Sequence, residues 1–186
     1  MAKKKLKKTA KKVVKKSAKK KIAKKTKATA NKKSATAVLK RSTTISPYLT
    51  FNGNCEDAFT FYKSVFGGQF AHMGRYKEMP PMEGKTVPAS EAEKIMHVAL
   101  PISQETVLMG SDSSDAFGHA TVVGNNFSVS INAAGQPEAD KLFGGLSSGG
   151  NVTMPMNKTF WGSYFGMLTD RFGIQWMVSV EENQKK

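Results

Sequence analysis

The sequence predicts an α+β fold built from two βαβββ modules, with a curved mixed sheet around a cleft and a disordered basic tail in front. One observation is an order of strand, helix and three strands that occurs twice between residues 45 and 181. The other is a break in charge near residue 42. The predicted parts are a tail at 1–42, a domain at 43–181 with modules at about 45–113 and 125–181, and a C-terminal tail at 182–186.

Charge divides the chain into two unlike parts. Residues 1–42 contain eighteen lysines, one arginine and no acidic residue, a charge of +19. The ten basic and fourteen acidic residues of 43–186 give that part a charge of −4. Because residues 1–42 have few apolar side chains and charge of one sign, they cannot bury a core, and we expect them to be disordered.

The lysines of the tail recur in small groups about four residues apart, and its composition resembles the tails of linker histones. We expect sequence-independent binding of nucleic acid, with an affinity that falls as salt rises. The tail has no aromatic residue to stack on bases, so its contacts should be to phosphate. Binding to another polyanion and the absence of a specific role are the alternatives. The lysines expected to bind are Lys3, Lys4, Lys7, Lys8, Lys11, Lys12, Lys15, Lys16, Lys19, Lys20, Lys24 and Lys25.

The first module is organised around a helix predicted over residues 55–66. Five apolar residues recur at helical spacing and share one face: Ala58, Phe61, Tyr62, Val65 and Phe66. Asn54 is the expected N-cap, and the acidic Glu56 and Asp57 lie where the helix dipole favours negative charge. Gly67 and Gly68 follow and can adopt the left-handed conformation that ends a helix.

Four strands accompany this helix. Alternation predicts the first at 45–52, where Pro47 is tolerated near the start of an edge strand. The third strand, 94–103, is expected to place Ile95 and His97 on one face and Val98 on the other. The remaining strands are predicted at 69–76 and 105–111, and residues 77–93 form a long loop.

The second module repeats this order. Residues 126–132 alternate as a strand, and a helix at 137–146 starts at Pro137, a residue favoured in the first turn. Further strands are predicted at 151–156, 162–169 and 174–180. Each helix covers one face of its sheet, and the two open faces would pair around a cleft suited to a small ligand.

Several motifs together resemble the PhnB-like branch of the vicinal oxygen chelate superfamily, which includes glyoxalase I, extradiol dioxygenases and bleomycin resistance proteins. The resemblance covers roughly residues 45–181 and implies paired βαβββ modules and a homodimer. The motifs are PYLTF at 47–51, FY at 61–62, FGG at 66–68, IMH at 95–97, LMGSD at 108–112, WG at 161–162 and DRFGIQWM at 170–177.

The resemblance also bears on metal chemistry. Metal-dependent members place histidines on the first and fifth strands and carboxylates near the fourth and eighth. The matching positions are near Pro47, at Asn126 or Phe127, within 109–112, and at Met177. Because proline and methionine cannot replace hard nitrogen or oxygen ligands, we expect no metal and no cofactor. PhnB-like proteins are often labelled demethylubiquinone methyltransferases, but no glycine-rich methyl-donor loop follows a predicted strand, so we do not expect that activity.

Four residues are candidates for the lining of the cleft: His97, Asp112, Trp161 and Trp176. His97 is either an acid, base or ligand contact, or a histidine hydrogen-bonded to a neighbour. Asp112 either forms a turn or contacts a ligand, and each tryptophan belongs to the core or to the cleft wall. We expect Cys55 to be structural, because no base partner is evident, and His72 and His119 to lie on the surface.

We therefore expect a small-ligand-binding domain that a histone-like tail holds on nucleic acid. A metal-assisted lyase, isomerase or dioxygenase-type enzyme is one alternative, and the sequence leaves open whether any reaction is catalysed. A nucleoid-associated DNA-binding protein whose domain serves dimerisation is the other. The expected partners are an unknown small molecule, nucleic acid through residues 1–42 and a second copy, with no membrane. The single cysteine fits a cytoplasmic location, with association to the nucleoid.

Overall fold

The structure is a computed structural model that describes residues 44–84, 86–118 and 121–181. The predictions made for the basic tail and its lysines, for the C-terminal tail and for His119 lie outside these residues. None of the helices in the described ranges is long and apolar enough to cross a membrane.

Strands and helices follow the predicted order in both modules, which confirms the α+β fold. The first module contains β1 (Tyr48–Phe51), α1 (Cys55–Phe66), β2 (His72–Arg75), β3 (Ile95–Pro101) and β4 (Val107–Asp112). The second contains β5 (Val129–Asn132), α2 (Gln136–Ser147), β6 (Asn151–Lys158), β7 (Ser163–Thr169) and β8 (Gln175–Glu181). Helix α1 ends as predicted, since Gly67 follows it with a φ of 81°. The loop predicted over 77–93 contains short 3₁₀ turns, Tyr76–Glu78 and Ala89–Glu91.

Each module forms a four-stranded mixed sheet. The strand orders are β1-β4-β3-β2 and β5-β8-β7-β6, so the first strand of each module is an edge strand. The β1–β4 and β5–β8 pairs are parallel and the other pairs are antiparallel. The two sheets are therefore built alike, and Tyr48 opposite Met109 corresponds to Ser130 opposite Met177.

Several strands begin later than the alternation predicts. β1 begins at Tyr48 rather than 45, β2 at His72 rather than 69, and β5 at Val129 rather than 126. A strand exists only where a neighbouring strand supplies hydrogen-bond partners, and side-chain alternation does not reveal where the neighbour ends.

The prediction that Ile95 and His97 share a face was wrong. Ile95 is 1% exposed and packs in the core with Val98. The register between β2 and β3 shifts between Gly74 and Arg75, so one strand has an extra residue there. Such a bulge changes the face to which the neighbouring side chain points.

The start of α1 is held by a distant carboxylate. Asn54 is the N-cap residue as predicted, but its side chain makes no capping hydrogen bond. Instead, Oδ1 of Asp112 accepts from the backbone N–H groups of Gly53 and Cys55 at 2.9 and 3.0 Å. Its Oδ2 accepts from the N–H of Ile95 at 2.9 Å. Asp112 thus joins the end of β4 to the start of α1 and the start of β3.

The two modules share one hydrophobic core. The rings of Tyr62 and Phe66 on α1 pack against Trp176 of β8, with centroids 5.5 and 5.7 Å apart. Buried residues of both sheets and both helices belong to a single cluster. The opposite face of each sheet points away from this core.

Asp170, in the turn between β7 and β8, binds both modules. Asp170 is only 4% exposed. Oδ2 accepts from the Tyr62 hydroxyl and the Trp176 indole N–H, both at 2.8 Å. Oδ1 accepts from the backbone N–H groups of Phe172 and Ile174 at 2.8 and 3.0 Å. Burial, together with Asp170, raises the pKa of the Tyr62 hydroxyl above its usual value, so this group stays a donor.

Candidate ligand-binding site

A row of three rings lies on the face of the first sheet that α1 leaves open. His97 of β3 is in the middle, between Tyr48 of β1 and His72 of β2. The ring centroids are 5.8 and 5.7 Å from that of His97, and the planes are tilted by 21° and 28°. The Tyr48 hydroxyl oxygen lies 3.4 Å from Nδ1 of His97. Because Tyr48 is 49% exposed and His72 is also exposed, a ligand can reach the row.

The strand register and a glycine bring these rings together. Ala99 is paired with His72, and Gly74 is paired with His97. A Cβ atom at Gly74 would lie 2.9 Å from Nε2 of His72. Because Gly74 has no side chain, the His72 ring has room to lie above Gly74 and reach His97.

The row combines stacking with hydrogen bonding. An imidazole offers a flat face and can donate and accept hydrogen bonds. Within the described ranges, the Tyr48 hydroxyl is the one hydrogen-bond partner of the His97 ring, so Nε2 is available to a ligand. The arrangement suits a planar molecule with a polar oxygen at its edge.

A cavity of about 730 Å³ adjoins the row at the junction of the modules. Tyr48 lines it from β1, and Val129 and Ser130 line it from β5. The two edge strands thus face a common space, which Phe66 of α1 and Leu142 of α2 also line. Of the three rings, Tyr48 contributes to its wall.

Of the residues predicted to line a cleft, His97 and Trp161 are accessible. His97 is half-buried on the open face of the first sheet. Trp161 is 49% exposed and precedes β7, where its ring packs edge-on against Phe165 at 6.0 Å. His97 lies on the first sheet and Trp161 in the turn before β7 of the second, and no contact joins them among the described residues.

Asp112 and Trp176 lie on the helix side of their sheets. Asp112 is 3% exposed, and its carboxylate is used by the backbone groups described above. Trp176 is fully buried against α1 and donates to Asp170. Asp112 therefore holds backbone groups of the fold by hydrogen bonds, and Trp176 packs in the core.

Sequence reasoning did not select Tyr48 and regarded His72 as a surface residue. Alternation does place Tyr48 on the face opposite Leu49. The strand order β1-β4-β3-β2 is what brings its ring across β4 to His97, and that order is not written in any local pattern.

Cys55 is fully buried in the first turn of α1. Burial raises the pKa of its thiol far above the usual value, and the negative charges of Asp112 and Glu56 add to the rise. A thiol with a raised pKa is a poor nucleophile, so the structure favours the predicted structural role.

Comparison with known proteins identifies the family. A family profile described as 3-demethylubiquinone-9 3-methyltransferase matches residues 43–179, most of the chain. The chain belongs to the 3-demethylubiquinone-9 3-methyltransferase family.

Solved structures share the fold of this chain. Protein PA1353 from Pseudomonas aeruginosa is 40% identical to this chain, with a TM-score of 0.65, over 76% of this chain and 100% of that one. The PhnB protein from Bacillus cereus is 24% identical, with a TM-score of 0.58, over 74% and 99% of the two chains. A glyoxalase/bleomycin resistance protein/dioxygenase family enzyme from Burkholderia phytofirmans PsJN shares the fold, with 13% identity, a TM-score of 0.50 and coverage of 74% and 97%. The predicted relation to PhnB-like proteins and the vicinal oxygen chelate fold is confirmed.

The four positions predicted to match metal ligands lie on or near the open faces of the two sheets. Pro47 precedes β1, and the first residue of that strand, Tyr48, faces outward opposite Met109. On the fifth strand, the residue opposite Met177 is Ser130, whereas Asn126 and Phe127 precede the strand.

These outward positions do not fit the hard metal ions of the superfamily. They supply one phenol, one serine hydroxyl and two thioethers, which are not the carboxylate and imidazole ligands that such ions prefer. The described residues also contain no group of three or more His, Cys, Asp or Glu arranged to hold a metal ion.

Proposed function

We propose that this member of the 3-demethylubiquinone-9 3-methyltransferase family binds a planar phenol or quinone on its first sheet, and that residues 1–42 hold the domain on nucleic acid. The observation that carries the first part is the accessible row of Tyr48, His97 and His72. Aromatic rings prefer neighbours in an offset stack, as these three rings do with each other, so the row favours a flat ligand. The second part rests on the +19 charge of residues 1–42.

The ligand class follows from the chemistry of the row. Nε2 of His97 can donate to a quinone oxygen or accept from a phenol hydroxyl, depending on its tautomer. The family description names a quinone-related compound, which agrees with this chemistry. We propose binding as the function, with His97 as the group that contacts the ligand oxygen.

The first test measures binding of a hydroquinone head-group analogue without its isoprenoid chain, by calorimetry. Replacement of His97 by alanine is expected to raise the Kd about tenfold or more, because a stacked ring and a hydrogen bond are lost together. His97→Phe keeps the ring and should have an intermediate Kd.

The matched control is Thr169→Ala on β7, which alters the open face of the second sheet away from the residues that line the cavity and should leave the Kd unchanged. Equal Kd values for His97→Ala and the unmodified chain would refute the assignment of the row as the binding site. Release of a modified product during the titration would instead identify an enzyme.

The second test compares the full chain with a variant that lacks residues 1–42. The full chain is expected to shift duplex DNA at low salt and to lose affinity steeply as salt rises, because bound lysines release counterions. The truncated variant, with a charge of −4, should not shift DNA. Equal shifts by both proteins would place the DNA contact in the domain and overturn the proposal for the tail.

We also propose a homodimer, as the superfamily resemblance implies. Two copies would carry two basic segments, and simultaneous binding of both would raise the apparent affinity for a long DNA. Tail-dependent binding of DNA by a chain that binds no hydroquinone would favour a nucleoid-associated protein whose domain serves dimerisation.

A further inference from the structure

Three methionines form a row across the open face of the second sheet. The register pairs Met154 of β6 with Met167 of β7, and Met167 with Met177 of β8. All three are half-buried, and none belongs to the core cluster or packs against it. Met156 differs, since it packs against the core. By this pairing the three residues lie side by side on the face away from the helices, and the register of β6 shifts on either side of Met154.

The spacing allows their sulfur atoms to meet. Adjacent strands are about 4.8 Å apart, and the Cβ atoms of directly paired residues are about 5 Å apart. Methionine is unbranched and has rotatable bonds along its whole side chain. The two outer residues can thus lean towards Met167, and all three sulfur atoms can approach one point above it.

The surroundings of the row are uncharged. The next residues on the same face are Phe165 and Thr169 on β7 and Gln175 and Ser179 on β8. These residues offer no carboxylate or imidazole for a hard divalent ion. Phe165 packs against Trp161, and aromatic faces beside the row can stabilise a bound cation.

We propose that Met154, Met167 and Met177 form a binding site for Cu(I). Thioethers are soft ligands that select Cu(I) over the harder divalent ions. The site is separate from the ring row of the first sheet and does not depend on the ligand proposed there.

The test uses the full chain, labelled at the methionine methyl groups, and silver(I) as a redox-inert stand-in for Cu(I). Equimolar Ag(I) is expected to shift the methyl signals of Met154, Met167 and Met177, and to leave that of Met109 unchanged. Under anaerobic conditions, the same protein should withdraw Cu(I) from a chromophoric chelator.

Leucine variants distinguish the site from scattered methionines, since a Met-to-Leu change nearly preserves volume. Met167→Leu should abolish the silver-induced shifts of Met154 and Met177, whereas Met109→Leu, on the open face of the first sheet, should preserve them. If Met167→Leu does not fold, Met154→Leu on an edge strand should abolish the silver-induced shifts of Met167 and Met177. Shifts at Met109 as large as those in the row, or equal silver binding by the row variants and Met109→Leu, would overturn the proposal.

Discussion

Replacement of Asp170 by alanine should lower the free energy of unfolding by about 4 kcal/mol or more, because four donors lose their acceptor. Two of these donors, the Tyr62 hydroxyl and the Trp176 indole, are buried where water cannot replace the carboxylate. A loss of this size is a large part of the stability of an ordinary domain. Urea denaturation, followed by far-UV circular dichroism, measures it as a fall in the midpoint.

The control for this prediction is Asp140→Ala. Asp140 also accepts a hydrogen bond from a tyrosine, Tyr164, at 2.8 Å, but the pair is exposed to solvent. Its removal should change the unfolding free energy by less than about 1 kcal/mol. If the two variants had the same midpoint, the hydrogen bonds of Asp170 would not be what joins the modules.

Replacement of Asp112 by alanine is expected to cost about 3 kcal/mol, since three backbone N–H groups lose their partner. The effect should be local as well as global. Amide hydrogen exchange at Cys55 and Ile95 should accelerate more than exchange in the second sheet, because these two groups bond directly to the carboxylate.

Ser111→Ala is the neighbouring control, since Ser111 lies on β4 and faces away from the core. It should leave the exchange rates at Cys55 and Ile95 unchanged. Unchanged rates in Asp112→Ala would show that other contacts hold the start of the helix.

The fold was predictable where the signal is local. The apolar face of α1 and the glycines after it define a helix with correct ends, because helical spacing and the left-handed stop are properties of neighbouring residues. The order of helices and strands along the chain could be predicted because the two modules repeat it. The ends of the strands could not, since Tyr48 starts β1 only because β4 offers it a partner.

The candidate site was predictable in part. His97 could be selected from its strand and its chemistry, but its neighbours Tyr48 and His72 belong to strands that meet only in the folded sheet. Asp112 and Trp176 have the polarity and size of site residues. Asp112 accepts a hydrogen bond from Cys55, 57 residues away, and Trp176 packs against Tyr62 of α1. Both partners are distant in sequence and buried. Residue type alone therefore does not separate a structural residue from a site residue.

The contact of Tyr62 with Asp170 spans 108 positions of sequence. It closes only after β8 has been placed, so the first module cannot complete its interior before the second is present. Such distant pairing slows folding and makes it concerted. If the chain were cut between β4 and β5, each fragment would expose its half of the shared hydrophobic core. We expect the native fold to form only when the two fragments are mixed. The sequence thus repeats the order of elements in each module, but the two modules fold cooperatively as one unit.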